Sequence, residues 1–386
     1  MSERVKGLRH IAVPEFVFGD GARHLVPTFL RNFGSQCALV VTDPGVIASG
    51  WTNDVLEDLE SAGISSSLFS DVSTNPRASE IAAGAERYER DGCDSVVAVG
   101  GGSVIDCAKG IGIAFAHGSD VLSYSGVDVV DQPTPPLICV STTTTSADVS
   151  QFAIVSDPDR RSKFAIISKM IIPDISLLDP VVYATLPPDM TAMGGMDCLS
   201  QSIEAYVSNA HSPFTDLLAL DATRLVWTTL PSAYEEPDNL VYRSDLMYGN
   251  LEGGIAFSNA SLGLIHALAH AVGGLTDAHH GACISAVLPE VIRYNYPAAA
   301  WRYGQLAGAV GLELKSKPVD EAASAFVAAI ETLQERISAR LTLTDLGLTK
   351  GDIPMLVDRA LSDPTLLTNP RPAEASDIEA VYERSF

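Results

Sequence analysis

Four histidines lie within one short stretch of a chain that has few others. His266 and His270 are four residues apart in a run rich in alanine and leucine, and His279-His280 follows after Gly273-Gly274. Residues four apart on a helix share one face, so the first two imidazoles would point the same way. We expect a helix that ends at the glycine pair and a loop that presents the second two. Imidazoles that converge in this way suit a divalent transition metal.

The simpler interpretation is that His266 and His270 are hydrogen-bonded core histidines. However, the chain has eight histidines in 386 residues, and half of them fall between Gly263 and Gly281. This concentration favours a metal or catalytic site. A zinc-peptidase helix would carry glutamate directly after its first histidine, but Ala267 occupies that position. We therefore expect a chemistry other than peptide hydrolysis.

Asp197 is a carboxylate candidate for the same site. It lies four residues before Gln201 on the predicted helix Met196–Ala205, so the two side chains should share a face. Because Asp197 follows Gly194-Gly195, the pattern places it at the start of this helix, where a helix N-cap is the simpler interpretation. Beside a histidine cluster it becomes a candidate oxygen ligand.

A second candidate site begins where an apolar strand runs into three successive glycines. The β-branched run Ser95–Val99 is followed by Gly100-Gly101-Gly102-Ser103, and Val104–Gly112 has a helical pattern. Glycines let backbone N–H groups approach an anion, and a helix N-terminus favours negative charge. The last glycine of the usual dinucleotide fingerprint is replaced by Ile105, and no Gly-Lys-Ser/Thr sequence is present. We expect phosphate binding here, with an ordinary strand-to-helix turn as the alternative.

Two polar segments follow other predicted strands. Asp43 closes the strand Cys37–Thr42, where a carboxylate could accept from an adenosine ribose and repel a 2′-phosphate, which favours NAD over NADP. Its alternative role is to cap the turn at Pro44-Gly45. The segment Ser141–Ser146 is rich in hydroxyls that could bind a pyrophosphate or a ribose, and a solvated turn is the alternative.

The order of the predicted elements divides the chain in two. Strands alternate with helices in the first part, which predicts a parallel sheet with helices on both faces; the predicted strands are Ile11–Phe18, Cys37–Thr42, Ser65–Phe69, Ser95–Val99, Leu137–Ser141, Gln151–Val155 and Phe164–Ser168. Beyond Pro187-Pro188 the patterns are helical: Met196–Ala205, Pro213–Leu230, Ser244–Ala271, Ala299–Val310, Asp320–Ala339 and Asp352–Leu361. We predict an α/β nucleotide-binding domain at residues 1–186 and an all-helical metal- and substrate-binding domain at residues 187–386, packed around a cleft.

Composition excludes several classes of partner. The net charge of −23 argues against nucleic acid and against an anionic membrane surface, both of which require a basic patch. The six cysteines are scattered, so we expect them to be reduced, buried and structural. No apolar run has the length of a membrane span, and the N-terminus lacks an apolar signal core. We therefore expect a soluble, cytoplasmic protein.

The chain resembles the iron-containing, or group III, alcohol dehydrogenases along essentially its whole length. The resemblance implies a dehydroquinate synthase-like architecture, with an α/β dinucleotide-binding domain and an all-α domain, and a homodimer. The matching stretches are Thr42-Asp43-Pro44-Gly45, Val99–Lys109, Asp179-Pro180, Gly195-Met196-Asp197, Ile203–Tyr206, Gly263–Gly281 and Thr368–Arg371.

The resemblance also implies roles for individual residues. The family's nucleotide-binding positions are Asp43, Gly100, Gly101, Gly102, Ser103, Thr142, Thr143 and Lys163. Its metal ligands, an aspartate and three histidines, are matched here by Asp197, His266 and His280, with Gln201 at the position of the third histidine. His270 matches a histidine close to the nicotinamide, so His266 and His270 are the expected catalytic residues.

Three positions depart from the family pattern. Gln201 offers an amide oxygen, a weaker ligand for Fe(II) or Zn(II) than an imidazole nitrogen. The segment Ser141–Ser150 carries no glycine, and His279 replaces a residue that is usually proline. His279 could be an accessory ligand or a proton carrier.

These features predict an NAD-dependent alcohol dehydrogenase or aldehyde reductase that acts on a small primary alcohol or aldehyde. We expect a divalent metal ion, Fe(II) before Zn(II), as a Lewis acid. Gln201 makes a metal-free NAD-dependent reductase of the same fold an alternative. A lyase of the dehydroquinate synthase type is disfavoured, because it needs a basic cluster for a phosphorylated substrate and only Arg243 and Arg293 lie near the candidate ligands in sequence.

Overall fold

The computed structural model of the chain describes residues 10–118 and 120–386. Its strands all lie in the N-terminal half. They are β1 (Glu15–Phe18), β2 (Cys37–Val41), β3 (Ser65–Phe69), β4 (Ser95–Gly100), β5 (Gly126–Val127), β6 (Leu137–Ser141), β7 (Phe152–Asp157), β8 (Ser162–Ile167) and β9 (Ile175–Leu178).

Helices connect these strands and form the whole of the C-terminal half. They are α1 (Val26–Phe33), α2 (Pro44–Ser49), α3 (Trp51–Ser61), α4 (Ala78–Arg90), α5 (Gly102–His117), α6 (Pro180–Tyr183), α7 (Pro188–Val207), α8 (Pro213–Glu235), α9 (Leu240–Ala260), α10 (Leu264–Thr276), α11 (His280–Asn295), α12 (Ala300–Ala309), α13 (Val319–Arg336), α14 (Ile353–Leu361) and α15 (Ala375–Arg384). The prediction of an α/β part followed by an all-helical part is confirmed.

Six strands form a parallel sheet in the order β1-β9-β6-β4-β2-β3. Alternate residues of its central strands face opposite layers. Val40 and Val99 pack with α1 and α3 on one side, and Leu39 and Ala98 pack with α4 and α5 on the other. Burial on both faces explains why these strands are continuous apolar runs in the sequence.

The register of the sheet brings three predicted nucleotide-binding segments to one edge. Val41 lies opposite Ala98, and Gly100 lies opposite Ser141. The residues that follow β2, β4 and β6 therefore leave the sheet at the same carboxyl edge, which is where parallel α/β sheets bind ligands.

Two predicted strands do not join this sheet. β7 and β8, at the positions expected for Gln151–Val155 and Phe164–Ser168, pair antiparallel and form a separate sheet in the order β5-β8-β7. The connection between them is too short for the crossover that a parallel pair needs. The first strand starts at Glu15 rather than Ile11, and β9 was not predicted.

The prediction of one continuous helix over Ser244–Ala271 is wrong. α9 ends at Ala260 and α10 starts at Leu264, with a bend of 99° between them. Ser261 has a φ of 62°, which turns the chain. The first backbone N–H groups of α10 donate to side chains from other elements. Leu264 N donates to Asn369 Oδ1 at 3.1 Å, and Ile265 N donates to Glu204 Oε1 at 2.7 Å. Because these capping residues lie far from α10 in sequence, the residues around Leu264 do not indicate a helix start.

Other predicted boundaries near the candidate metal site also differ. Asp197 lies in the middle of α7, so neither its predicted position at a helix start nor the N-cap interpretation holds. Gly273-Gly274 does not end α10, which continues to Thr276. These glycines instead allow close packing, since a Cβ at Gly274 would lie 3.0 Å from Ser162 Cα. His280 is the first residue of α11, a helix that was not predicted, rather than part of a loop.

The helices that carry the candidate ligands form the interior of the C-terminal half. α7, α10 and α11 are buried along most of their length, so polar side chains on them must have partners or ligands. Among the described residues, no single helix is long and apolar enough to cross a membrane, and α9 with α10 reaches that threshold only as a bent pair.

Candidate metal and nucleotide site

Asp197, His266 and His280 come together although they lie on three different helices. Their donor atoms are all within 4.8 Å of one another. Asp197 Oδ1 is 3.3 Å from His266 Nε2 and 3.7 Å from His280 Nε2. Donors bound at about 2.1 Å to one tetrahedral ion lie about 3.4 Å apart. The spacing therefore fits a single divalent cation.

The donor atoms themselves point to a missing cationic partner. Asp197 Oδ1 and His266 Nε2 are buried and have no hydrogen-bond partner among the described residues. A buried polar atom without a partner costs about 1–3 kcal/mol. A metal ion between these atoms would satisfy both, so the residues present fit the group.

Glu204 supports His266 from the opposite side of the ring. It lies seven residues after Asp197 on α7, and its Oε2 is 2.5 Å from His266 Nδ1. Because a carboxylate only accepts, Nδ1 carries the proton, and Nε2 presents its lone pair to the cluster. Burial opposes a positive charge on this ring, but Glu204 and Asp197 outweigh it and raise the pKa of His266 to about 9. A ring with this pKa also holds a proton at Nε2, and a metal ion bound at Nε2 would replace that proton.

His280 is held as a neutral imidazole. Burial, together with the neighbouring His270 and Lys163, keeps the pKa of His280 well below its usual value. Its ring stacks on that of His270, with centroids 5.3 Å apart and an interplanar angle of 20°. A metal ligand must be deprotonated, so this environment suits a metal-binding histidine.

Gln201 lies against the cluster but faces it with its nitrogen. Nε2 donates to Asp197 Oδ2 at 2.9 Å, and Oε1 accepts from Ser146 Oγ at 2.8 Å. The prediction that Asp197 and Gln201 share one face of a helix is therefore confirmed, and the two side chains form a hydrogen bond.

His270 belongs to a second carboxylate–histidine pair. Its Nδ1 is 2.7 Å from Asp363 Oδ2, and Thr365 donates to the other oxygen of Asp363 through both its hydroxyl and its backbone N–H. Burial opposes ionisation of Asp363, but His270 and these hydrogen bonds hold the pKa of Asp363 below its usual value. The pair fixes the tautomer of His270, so Nε2 is the nitrogen that can accept a proton.

His279 lines the same cavity beside His280. Burial lowers the pKa of His279, and its Nδ1 is buried without a partner among the described residues. It is not one of the three clustered donors.

The glycines at the end of β4 are needed because a side chain would not fit there, not because the backbone is strained. Gly101 precedes α5 and Gly102 begins it, and neither has a positive φ. A Cβ at Gly101 would lie 2.7 Å from Thr143 Oγ1, and a Cβ at Gly102 would lie 2.8 Å from Thr145 Oγ1. The glycines therefore let the hydroxyl-rich loop pack directly over the N-terminus of α5.

A buried lysine orders that loop. Lys109 Nζ donates to three backbone carbonyls, those of Ala147, Ser150 and Phe152, at 2.6, 2.7 and 2.7 Å. Nearer the nucleotide end, the hydroxyls of Thr142 and Thr144 are buried without partners among the described residues. Buried hydroxyls without partners in the cavity lining favour the ligand interpretation of this loop over a solvated turn.

Asp43 caps α2, as the alternative interpretation held. Its Oδ1 accepts from Gly45 N at 2.7 Å and from Val46 N at 3.0 Å. These bonds use only one oxygen, and Asp43 also lines the cavity. Oδ2 is therefore available to a ribose hydroxyl.

Lys163 reaches the cavity from β8, in the smaller sheet. Its Nζ donates to Asn75 Oδ1 at 2.7 Å, and Asn75 Nδ2 donates to Asp277 Oδ1 at 2.7 Å. Burial lowers the pKa of Lys163, although nearby anionic side chains oppose this. The lysine is thus anchored in the cavity lining by Asn75.

Asp43, Gly101, Lys163 and the three clustered donor residues line one cavity of about 720 Å³. Asp43 and the glycine segment lie at one end, and Asp197, His266 and His280 lie at the other. Phe152, Phe257 and Leu262 add apolar wall, and the lysine and arginine side chains of the lining are Lys163 and Arg77. One cavity therefore contains both the glycine segment and the three clustered donors.

The family model described as iron-containing alcohol dehydrogenase matches residues 14–180, and the model for the C-terminal part of the Fe-containing alcohol dehydrogenase family matches residues 191–386. The chain belongs to the iron-containing alcohol dehydrogenase family. The predicted family, fold and enzyme class are thereby confirmed: the protein is an oxidoreductase of the alcohol dehydrogenase type. Membership of this family implies NAD and a divalent metal ion as cofactors.

Characterised iron-containing alcohol dehydrogenases match over nearly the whole chain. The 1,3-propanediol dehydrogenase of Klebsiella pneumoniae is 36% identical over 372 residues, 96% of each protein. Alcohol dehydrogenase 4 of Schizosaccharomyces pombe is 36% identical over 378 residues, 97% of this chain and 88% of the relative. A crystal structure of 1,3-propanediol oxidoreductase superposes with a TM-score of 0.94 at 35% identity, over 98% of this chain and 100% of that one.

Several supporting residues had no role in the sequence-based prediction. Glu204 and Asp363 hold the two histidines, Lys109 orders the hydroxyl loop, and Asn75 holds Lys163. Glu204 could have been found, because its spacing from Asp197 places both on one helical face. The others lie far in sequence from the groups they bind, so no local pattern indicates them.

Proposed function

We propose that the protein interconverts small primary alcohols and aldehydes, with NAD and a divalent metal ion bound at opposite ends of the cavity. One observation carries the proposal: donors from three helices converge in the cavity that also contains the glycine cradle. Alcohol oxidation needs a polarised oxygen next to a hydride acceptor, and a single cavity that contains both groups of residues supports the proposal.

At the nucleotide end, the proposed NAD site uses mainly backbone and hydroxyl groups. Gly100, Gly101, Gly102 and Ser103 would bind the pyrophosphate at the N-terminus of α5, in keeping with the geometry of that segment. The remaining proposed contacts are with Thr142, Thr143, Lys163 and Asp43.

Asp43 supports the choice of NAD over NADP. Its free Oδ2 would accept from the adenosine ribose, and its negative charge would repel a 2′-phosphate.

At the metal end, we assign Asp197, His266 and His280 as ligands. When bound, the metal ion polarises the substrate oxygen and lowers the pKa of the alcohol, and the nicotinamide takes up or supplies the hydride. Glu204 orients His266, and Asp363 orients His270 so that its Nε2 can hold the alcohol proton. Iron is favoured over zinc by the family to which the chain belongs.

The substrate is proposed to be small and uncharged. The relatives named above act on 1,3-propanediol and on alcohols. The apolar side chains of Phe152, Phe257 and Leu262 in the cavity lining suit a short carbon chain. The scarcity of basic side chains in the lining is unfavourable for the phosphorylated substrate of a dehydroquinate synthase-type lyase.

The quaternary structure and location extend this proposal. We propose a homodimer in which β1, one of the two edge strands of the sheet, pairs with its counterpart, because an exposed strand edge can bind another chain. We also propose a cytoplasmic location, and a domain division near Pro187, which lies between α6 and α7.

The test is an NADH-linked assay on protein stripped with a chelator and reloaded with Fe(II) or Zn(II). We expect NADH formation with a short alcohol such as 1,3-propanediol or 1-propanol, lost on stripping and restored by Fe(II) more fully than by Zn(II). Activity that is unchanged after exhaustive chelation would instead favour the metal-free reductase. The absence of NAD turnover with any short alcohol or aldehyde would refute the proposed function.

A further inference from the structure

Each end of the Gln201 amide has a hydrogen-bond partner within the protein. The side chain is only 6% exposed, its Nε2 donates to Asp197 Oδ2 at 2.9 Å, and its Oε1 accepts from Ser146 Oγ at 2.8 Å. Both ends of the amide therefore have partners within the protein.

The chemistry of Asp197 fixes which end of the amide faces the cluster. A carboxylate can only accept hydrogen bonds, so the group next to Asp197 Oδ2 must be the NH₂ of Gln201. The reversed amide would place two oxygens in contact. A glutamine coordinates a hard divalent cation through its oxygen, and that oxygen is turned toward Ser146, away from the carboxylate.

The surrounding contacts fix the position of Ser146, the partner of Gln201 Oε1. Ser146 Oγ also lies 3.1 Å from Asn250 Oδ1, and Asn250 Nδ2 donates to the Thr145 carbonyl at 2.6 Å. Gly254 on α9 packs so closely that a Cβ there would lie 2.7 Å from Ser146 Cβ. Turning the oxygen of Gln201 toward the ion would place it against Asp197 Oδ2 and leave that carboxylate oxygen without its donor.

We propose that Gln201 positions Asp197 rather than binding the metal, and that the protein supplies three donors, Asp197 Oδ1, His266 Nε2 and His280 Nε2. This inference rests on the proposed metal-dependent function. Gln201 fixes Oδ2 through its amide and so leaves Oδ1, which has no partner among the described residues, directed to the ion. The side of the ion that faces position 201 then lacks a protein donor.

Two consequences follow from a site with two imidazoles and one carboxylate. Metal affinity is lower than a third imidazole would provide, because a strong nitrogen donor is absent. The loop that carries Ser146 also packs over the nucleotide cradle through Thr145. The support of Asp197 therefore comes partly from the nucleotide-binding half of the cavity.

The experiment uses Co(II) as the probe, because its visible absorption reports the donor set independently of enzyme activity. Metal-free full-length protein is titrated with Co(II), and affinity is measured by competition with a chromophoric chelator. The variants are Gln201→Leu, which removes both hydrogen bonds, Gln201→His, which adds an imidazole, and Ser146→Ala, which removes only the partner of Oε1. Circular dichroism verifies that each variant is folded.

We expect wild-type protein and the Leu and Ala variants to bind one Co(II) with the same visible spectrum. The affinity for Co(II) should fall about tenfold in Gln201→Leu and severalfold in Ser146→Ala. Losses of about this size are typical when a residue that hydrogen-bonds a metal ligand is replaced. Gln201→His should bind Co(II) at least about tenfold more tightly, with an altered spectrum, because a nitrogen donor has been added.

A changed spectrum in Gln201→Leu, or an affinity loss well beyond about a hundredfold, would identify Gln201 as a ligand and overturn the inference while leaving the proposed function intact. If Gln201→Leu fails to fold, Ser146→Ala carries the test, and unchanged affinity in that variant would overturn it. Wild-type protein that binds no Co(II) would overturn both the inference and the proposed metal-dependent function.

Discussion

The two ends of the cavity are built in different ways. The nucleotide end consists mainly of backbone and hydroxyl groups from segments that leave adjacent strands at one edge of a sheet. The metal end consists of side chains from α7, α10 and α11, of which Asp197 and His266 are each held by a hydrogen bond to another side chain. The nucleotide end depends on the space that the glycines leave for the hydroxyl-rich loop. The metal end depends on buried carboxylates and imidazoles that lie close together.

This difference separates the expected effects of mutation. Filling space at the nucleotide end should weaken NAD binding without removing the metal ion. Removing a donor or its carboxylate at the metal end should reduce metal binding or turnover without affecting NAD. Each prediction below tests one side of this separation.

The largest effect is expected for His266→Ala. The variant loses a donor and leaves Glu204 and Asp197 facing each other across a buried gap. We expect turnover to fall at least about a thousandfold, because Lewis-acid catalysis contributes several kcal/mol, and bound metal to fall in parallel. NAD affinity, measured by NADH fluorescence titration, should change less than about twofold if the two ends are independent. Loss of NAD binding in a folded variant would count against this assignment.

Gly101→Ala should produce the opposite pattern. The added Cβ would lie 2.7 Å from Thr143 Oγ1 and 3.0 Å from Thr143 Cγ2, so the loop over the cradle must move. Overpacking of this kind costs about 1–3 kcal/mol, and we expect the KM for NAD to rise by about ten- to a hundredfold. Metal content should stay at the wild-type level, as measured by elemental analysis. Normal NAD affinity would show that the loop is not part of the cradle.

Glu204→Gln should weaken the metal end more mildly. The substitution keeps the shape but removes the negative charge beside His266 Nδ1, and one amide hydrogen will face a donor, either Nδ1 or Ile265 N. We expect metal affinity to fall about tenfold. The matched control is Asp363→Asn, which makes the same change beside His270 and should slow turnover with metal affinity unchanged. Equal metal loss in both variants would contradict the assigned roles.

The smallest effect is expected for Asp43→Ser. Serine is also a good N-cap, so α2 should keep its start while the carboxylate is lost. We expect the preference for NAD over NADP, measured as the ratio of kcat/KM values, to fall by about tenfold, since only one charge contact changes. Asp43→Ala is the control that loses both the cap and the charge. A preference that is unchanged in Asp43→Ser would limit Asp43 to its capping role.

The two ends also differ in how well the sequence predicts them. Gly100-Gly101-Gly102 directly follows a buried apolar strand, so its position at the sheet edge could be predicted from adjacent residues. The His266 and His270 pair was visible from helical spacing, although α10 extends further than predicted and starts at a sharp bend.

Side-chain support at the metal end was less visible in the sequence. The bend before α10 is fixed partly by Asn369, which lies 105 residues from Leu264. The orientation of Gln201 depends on Ser146, 55 residues away in the other half of the chain. Such contacts are set by tertiary packing and leave no periodic pattern in the sequence. The same reason explains why Asp197 was placed at a helix start, since glycine pairs in a buried helix can serve close packing instead.

The most direct test is anomalous X-ray diffraction at the iron edge from crystals grown with Fe(II) and NADH. We expect one strong anomalous peak at about 2.0–2.3 Å from Asp197 Oδ1, His266 Nε2 and His280 Nε2, with the nicotinamide of the bound cofactor facing it across the cavity. A peak at another position, or a cofactor bound outside the cavity that contains Gly101 and Thr143, would contradict the account.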